Sequence, residues 1–464
     1  MESAFIEALG RGLPADRLVI DPDVLAALSH DDAEWAPVGK AVAGVRARSE
    51  AEVARVVKTC ADFRVPVVPR GSGTGLSGGA NATDGCLVLD VSRMNQVIEI
   101  DRDNLTCVVQ PGIVNNDLKD IVAAEGLWYP PDPASAQWSS IGGNVATNAG
   151  GLCCLKYGVT RDYVLGLRAV TAGLDGAGYG AVTRIGRRTN KGVAGLDLTG
   201  LFVGSEGTLG VVTEITLRLR PALTGVPRTI VGAFGSLAAS GTAVSEITRR
   251  GLTPTALELL DRACLTAVEE WKHLGLEADA EALLLARVDT PGESGEAEAK
   301  AIADAMSDAG ARWTEQSTDA TEAEALFEAR RLAYPALERL GPVLTEDICV
   351  PRSRVPEMLA RVGEIGKSHG VQIATIAHAG DGNLHPVFVF DRGLAEVPAH
   401  VWAAADEVFR AALDLGGTLT GEHGVGVIKR RWLALELGED AMAVHRAIKA
   451  ALDPAGIMNP GKAI

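Results

Sequence analysis

The chain has no run of about 18 apolar residues, so no membrane-spanning helix is expected. Its opening, MESAFIEALGRGLPADR, has neither a basic start nor a long apolar stretch, so no secretory signal is expected either. Cysteine is sparse and scattered: seven residues, an odd number, with no CxxC or CxxCxxC spacing. That excludes the usual zinc and iron–sulfur patterns and suits reduced thiols in a cytoplasm. Positive charge is in deficit, with 44 Lys and Arg against 60 Asp and Glu and a net charge of −16. Nucleic acid and anionic lipid are therefore disfavoured as general partners, and an anionic substrate would need a local cationic pocket. No internal repeat and no low-complexity segment occur.

What is present is ample core-forming material, 47% hydrophobic over 464 residues, enough for two or three domains. Residues 1–36 read as a helical preamble, with DVLAALSHDDAEW as a short helix and turn. SEAEVARVVKTCADF then predicts an amphipathic helix, with Ser49 as N-cap and Glu52 at capping-box spacing. Strands follow at VPVVP, CLVLDV, QVIEID and LTCVVQPG, then the helix NNDLKDIVAAEGL. The passage YPPDPASAQWSSIGGNVATNAGGLCCLKYG lacks apolar periodicity and reads as a long functional loop. Strands at VLGLRAVTA and LGVVTEITLRLRP close this part at Pro221. From about residue 222, Ala/Glu/Arg-rich helices alternate with strands such as EALLLARVD and VQIATIAH, a pattern of helices covering an antiparallel sheet. The last 50 residues read as mainly helical.

Three glycine-rich loops punctuate the first half: VVPRGSGTGLSGG (67–79), IGGNVATNAGG (141–151) and GLFVGSEGTLGVVTE (200–214). The first satisfies GxGxxG, but GGANATDG follows it, a poor helix former, so it is not a Rossmann fingerprint. Closely spaced residues without Cβ still let backbone N–H groups converge on a phosphate. Three such loops on one α+β unit suit an extended dinucleotide.

The second half holds ATIAHAGDGNLHPVFVF (374–390). Two strands flank the turn AGDGN, so a hairpin is predicted; His378 and His385 facing each other across it would have Cβ atoms about 5 Å apart. Two cross-strand histidines alone are more often structural. LTGEHGVG (419–426) adds a carboxylate, Glu422, beside another histidine, His423. In an extended segment these neighbours point to different sides, one toward a metal and the other toward a substrate. A His₂Glu set with open positions matches a catalytic site. His30, His273, His369, His400 and His445 have no partner motif and read as surface residues.

These stretches, with KYG and DPAGIMNPGK, run in family order from about position 40 to the C-terminus. On them the chain resembles the flavoprotein family of vanillyl-alcohol oxidase, in its FAD-dependent D-2-hydroxyacid dehydrogenase branch. That branch includes the flavin subunit of glycolate oxidase, D-lactate dehydrogenase and D-2-hydroxyglutarate dehydrogenase. The resemblance implies an α+β fold: a two-part FAD-binding domain (37–221) after the N-terminal segment (1–36). A substrate, or cap, domain with an antiparallel sheet (222–410) would follow, then a C-terminal helical segment (411–464) returning to the flavin. It implies FAD contacts from Arg70, Gly71, Ser72, Gly73, Thr74, Gly75, Ser77, Ser135, Gly142, Gly143, Asn144, Thr147, Glu206, Val212 and Asn459. The first loop has neither the His through which many relatives attach flavin nor a Cys, so the FAD is expected to be non-covalent. Cys153 and Cys154 read as small residues filling a tight turn.

The resemblance also makes His378, His385 and Glu422 the ligands of a divalent metal, with zinc the first choice and manganese, iron or cobalt also suited. A 2-hydroxy acid would chelate that ion, His423 would take the hydroxyl proton, and C2 would deliver hydride to flavin N5. Arg330, in LFEARRLAYPAL, matches the position that binds the substrate carboxylate, and Tyr334 lies one turn on. Thr345 stands where hydroxyglutarate enzymes carry a Lys, which favours glycolate- or lactate-sized acids over a long dicarboxylate. With no internal cluster ligands, electrons are expected to leave to an external acceptor: a quinone, an iron–sulfur or electron-transfer flavoprotein partner, or oxygen. A cytoplasmic location follows, peripheral to the membrane where such a partner sits there, and a homodimer is compatible with the family. Two other readings are an alkylglycerone-phosphate-synthase-like flavoenzyme without net redox turnover, and a metal-dependent hydrolase whose glycine loops bind only phosphate.

Overall fold

The structure, a computed structural model, describes residues 2–173, 178–276, 279–317 and 319–464. Ser49 starts the helix Glu50–Phe63 as its spacing predicts, its hydroxyl accepting the Glu52 N–H at 3.3 Å. The Glu52 carboxylate reaches one residue further back than a standard capping box, to the Arg48 N–H at 2.6 Å. Val53, Val56, Val57 and Cys60 form the buried stripe of this helix. They share a core with Val45, Val67, Leu87 and Leu89 of a four-stranded sheet. In that sheet Ala43–Arg46, Leu87–Asp90 and Val67–Arg70 run parallel, and Leu18–Val19 is antiparallel at one edge. A second, wholly antiparallel sheet has the order Val97–Asp101, Thr106–Val109, Val211–Arg218, Val164–Thr171, Ala181–Gly186.

The chain divides into two compact units. The first is discontinuous, residues 1–150, 159–222 and 422–464, and contains both of these sheets. The second is residues 151–158 and 223–421. Its antiparallel sheet has the order Ala311–Gln316, Arg228–Phe234, Ala282–Val288, Ala256–Asp261, Gln372–His378, Asn383–Val389, Val343–Thr345, with Ile348–Cys349 also paired to Asn383–Val389. Helices cover both of its faces. Val231, Leu283 and Ile376 share a core with Phe327 and Ala333 of helix Ala320–Glu338, whereas Gly232 faces Met306 of helix Gly292–Asp308. The strand alternation produces this switch, since successive residues point to opposite faces.

One expectation is corrected. The passage read as a long loop contains a helix, Ile141–Thr147, and a single helical turn, Cys154–Tyr157. Glycines at 142 and 143 hide the helix from propensity reasoning. Tertiary packing supports it: Ser140 caps the Gly143 N–H, and a Cβ on Gly142 would lie 2.5 Å from Pro111. Asn148 ends it in the left-handed conformation, φ 53°. The C-terminal segment is helical over Leu433–Leu452, broken at Gly438, and irregular from Asp453 to the end. Among the described residues, no helix is long and apolar enough to cross a membrane.

Candidate active site

The three glycine-rich segments gather in the first unit around a cleft of about 480 Å³. Arg70 to Gly75, Ser77, Ser135, Gly142, Gly143, Asn144, Thr147, Glu206 and Val212 all line it. Asn459 does not. It is buried, and its amide donates to the carbonyls of Gly79 at 2.9 Å and Glu206 at 2.7 Å, tying two of the loops together. Asp31, Trp138 and Phe202 line the cleft and were not singled out from the sequence. The remaining wall is largely Gly, Ala and Pro, which leaves room for a bulky ligand and bare backbone for its phosphates. Neither Cys153 nor Cys154 lines it.

The cleft is electrostatically mixed. Burial pushes the Arg70 guanidinium below its usual value, while Asp90, Asp31 and Asp32 act in the opposite sense. Burial raises Asp31 despite the N–H groups of Ala80 and Ala33 donating to it. Glu206 is also raised by burial, against N–H bonds from Val425 and Gly426 and the charges of Lys429 and Lys462.

Glu206, which lines the cleft, is also an anchor. Its two oxygens accept the Val425 and Gly426 N–H groups, each at 2.8 Å. On the other side the Ser77 hydroxyl donates to the His423 carbonyl at 3.1 Å. Gly426, at φ 51°, would place a Cβ 2.0 Å from the Ser77 carbonyl, so only glycine allows this approach. The GEHGVG segment is thereby stitched to the first and third loops, and both Glu422 and His423 line the cleft.

The histidine pair lies in the second unit, on the strands Gln372–His378 and Asn383–Val389. The histidines are not directly opposed: His378 pairs with Asn383, and His385 with Ile376. A four-residue turn, 379–382, sets this register and makes the histidines a diagonal pair on one face. Their rings still meet, edge to face, with centroids 5.2 Å apart. Each has a buried carboxylate beside it. Glu258 accepts from His378 Nδ1 at 2.8 Å, and Asp347 lies 3.8 Å from His385 Nδ1. Glu258 also takes the Arg330 Nε at 2.7 Å. Burial pushes the Glu258 carboxyl up, but the charges of His378 and Arg330 outweigh it and hold it below its usual range. Tyr334 sits one turn beyond Arg330, its hydroxyl 3.3 Å from the Thr345 hydroxyl. Asp347 further accepts from the Asn383 amide and the Thr420 hydroxyl, each at 2.6 Å, so the chain just before Glu422 is fastened beside this hairpin. Glu258 and Asp347 were missed from the sequence. The available signal was a lone Glu in the otherwise apolar run Ala-Leu-Glu-Leu-Leu.

A family model described as "FAD linked oxidases, C-terminal domain" matches residues 226–463, and an "FAD binding domain" model matches residues 41–175. The chain belongs to the FAD-linked oxidase family. It is 44% identical over 416 residues to the glycolate oxidase subunit GlcD of Bacillus subtilis, covering 89% of this chain and 87% of that one. It is 36% identical to GlcD of Escherichia coli K12, covering 89% and 81%. It is 34% identical to a D-lactate dehydrogenase of Anaerostipes hadrus, covering 96% and 94%. Among solved structures, p-cresol methylhydroxylase has a TM-score of 0.81 at 18% identity, covering 99% of this chain and 96% of that one. That likeness shows the fold, the two-domain, vanillyl-alcohol-oxidase-type FAD-binding architecture. This FAD-linked oxidase is accordingly an oxidoreductase of the branch that its sequence resembles.

Proposed function

We propose that this FAD-linked oxidoreductase converts a small D-2-hydroxy acid, of glycolate or D-lactate size, to the 2-oxo acid. The carrying observation is the buried pair His378 and Glu258, joined by the half-buried Arg330 and beside His385, in a chain 44% identical to a glycolate oxidase subunit. Residues 37–221 hold FAD non-covalently in the glycine-lined cleft, 222–410 receive the substrate, and 411–464 return to the flavin. FAD, when bound, supplies the two-electron acceptor.

His378, His385 and Glu422 are the donors for a divalent cation, zinc first, with manganese or iron as alternatives. The donor chemistry fits: two imidazoles in contact, with Glu258 holding His378 Nδ1 so that Nε2 is the ligating atom. Glu422 is the next residue after the anchored Thr420–Gly421. Such an ion supplies Lewis acidity toward a hydroxyl. His423 accepts the substrate hydroxyl proton, as a neutral imidazole does near pH 7. Arg330 has four guanidinium N–H donors beyond the Nε–H held by Glu258, and these receive the substrate carboxylate. Tyr334, beside Thr345, bounds the far end and limits substrate length. Electrons pass to an external acceptor, a quinone or a redox partner protein, and the enzyme works in the cytoplasm or at its membrane face.

The test is anaerobic addition of glycolate, D-lactate, L-lactate and D-2-hydroxyglutarate to the yellow protein, whose FAD should appear in the supernatant after heat precipitation. Glycolate and D-lactate should bleach the flavin. Bleaching by D-2-hydroxyglutarate alone would overturn the size limit; no bleaching by any of them would overturn the reaction.

A further inference from the structure

Trp138 lines the cofactor cleft with 62% of its surface exposed. Single exposed hydrophobic residues are common and need no explanation. This one differs in where it stands and in how firmly it is held. Its own N–H donates to the Ser135 carbonyl at 2.8 Å, and the next N–H, of Ser139, donates to the same oxygen at 2.7 Å. Ser139 and Ser140 are buried; Ser139 accepts the Asn144 amide at 3.1 Å, and Ser140 caps the following helix. The residue that carries the indole is thus presented at the cleft by a tightly bonded turn, with little backbone entropy left to lose on binding. Pro133, Ala134, Ser135 and Ser140, small or apolar residues, line the same cleft.

We propose that Trp138 is a stacking platform for a planar ring of FAD, covering one face of either the adenine or the isoalloxazine. This rests on the FAD-binding role of the cleft and adds a contact to it. Aromatic stacking on a heterocyclic base is sequence-tolerant and needs no hydrogen-bond partner, which suits a residue whose neighbours are Ala, Pro and Ser.

The test is hydroxyl-radical footprinting of the full chain, read by peptide mass spectrometry, in the apo form and with FAD, ADP or FMN. FAD should protect Trp138 from oxidation. Protection by ADP assigns the adenine, and protection by FMN assigns the isoalloxazine. Trp138→Phe should keep FAD near wild-type affinity, while Trp138→Ala should raise its Kd by about 5- to 150-fold, the range for losing one stacked ring. Trp138 that stays as reactive with FAD bound as without it overturns the proposal, whether or not the Ala variant folds. Wild-type Kd in a folded Trp138→Ala protein does so too. A wild-type chain that binds no FAD would instead remove the cofactor reading beneath it.

Discussion

Replacing Glu206 by Gln should detach the GEHGVG segment from its anchor while leaving the cleft wall intact. The carboxylate holds two backbone N–H groups, of Val425 and Gly426, one on each oxygen and each at 2.8 Å. Gln keeps one acceptor and turns its NH₂ toward the other N–H, so one buried donor loses its partner, at a cost of about 1–3 kcal/mol. The surviving bond is no longer charge-assisted, which costs roughly 1 kcal/mol more. One effect acts in the other direction: burial raises the Glu206 pKa, so a neutral side chain relieves part of the desolvation penalty. The balance is a local loss of about 1–3 kcal/mol, which lowers the ratio of held to released His423 by a factor of about 5–150. Flavin reduction at saturating substrate, followed by stopped flow, should slow by up to that factor. FAD content should stay near one per chain, because the other loops are unchanged. A Glu206→Gln enzyme that reduces its flavin at the wild-type rate would refute the anchoring role. Loss of FAD, with a normal rate once FAD is restored, would return Glu206 to the cofactor contacts.

Glu258→Gln removes the carboxylate shared by His378 and Arg330, and metal affinity measured by competition with a chelating dye should fall about 10–100-fold. Unchanged affinity would count against His378 as a ligand. His423→Asn should keep metal and FAD while slowing flavin reduction by about 10²–10⁴-fold, whereas Glu422→Gln should lose metal. The reverse pattern would exchange the two roles. Asp261 is buried and accepts the N–H groups of Cys264 at 3.0 Å and Thr375 at 2.6 Å; burial raises its pKa to about 6. The folded chain therefore binds this proton more tightly than the unfolded one, so stability from this group is full below about pH 4 and is lost as pH rises through about 6. The shift corresponds to about 3 kcal/mol, so the stability of wild type relative to Asp261→Asn, from denaturant midpoints, should fall by that order between pH 4 and 7. A flat difference would mean that Asp261 stays ionised throughout.

What could be read in advance followed from local chemistry. Ser49 and Glu52 announce a helix start, AGDGN announces a turn, and the glycine clusters announce backbone exposed to a ligand. The helix Ile141–Thr147 could not be read, because its glycines are poor helix formers and only contact with Pro111 explains them. The diagonal register of His378 and His385 depends on how many residues the turn consumes, and periodicity leaves that open. Glu206 was singled out with the glycine loop it belongs to, but the use of its carboxylate by a segment over two hundred positions away could not be read there. Glu258 and Asp347 lie beside histidines that are distant in sequence, so no spacing rule points to them.

The parallel strand Val67–Arg70, which leads into the first glycine loop, is completed by the far end of the chain. Val67 forms a parallel bridge with Met458, donates to Ile457 and accepts from Asn459 at 2.7 and 2.8 Å. A ribosome makes these residues after the whole of the second unit. The sheet edge beside the glycine loop therefore stays open while about two hundred residues of the second unit are made. A chain cut before Ile457 would keep every residue that lines the cleft and lose the segment that closes this sheet edge.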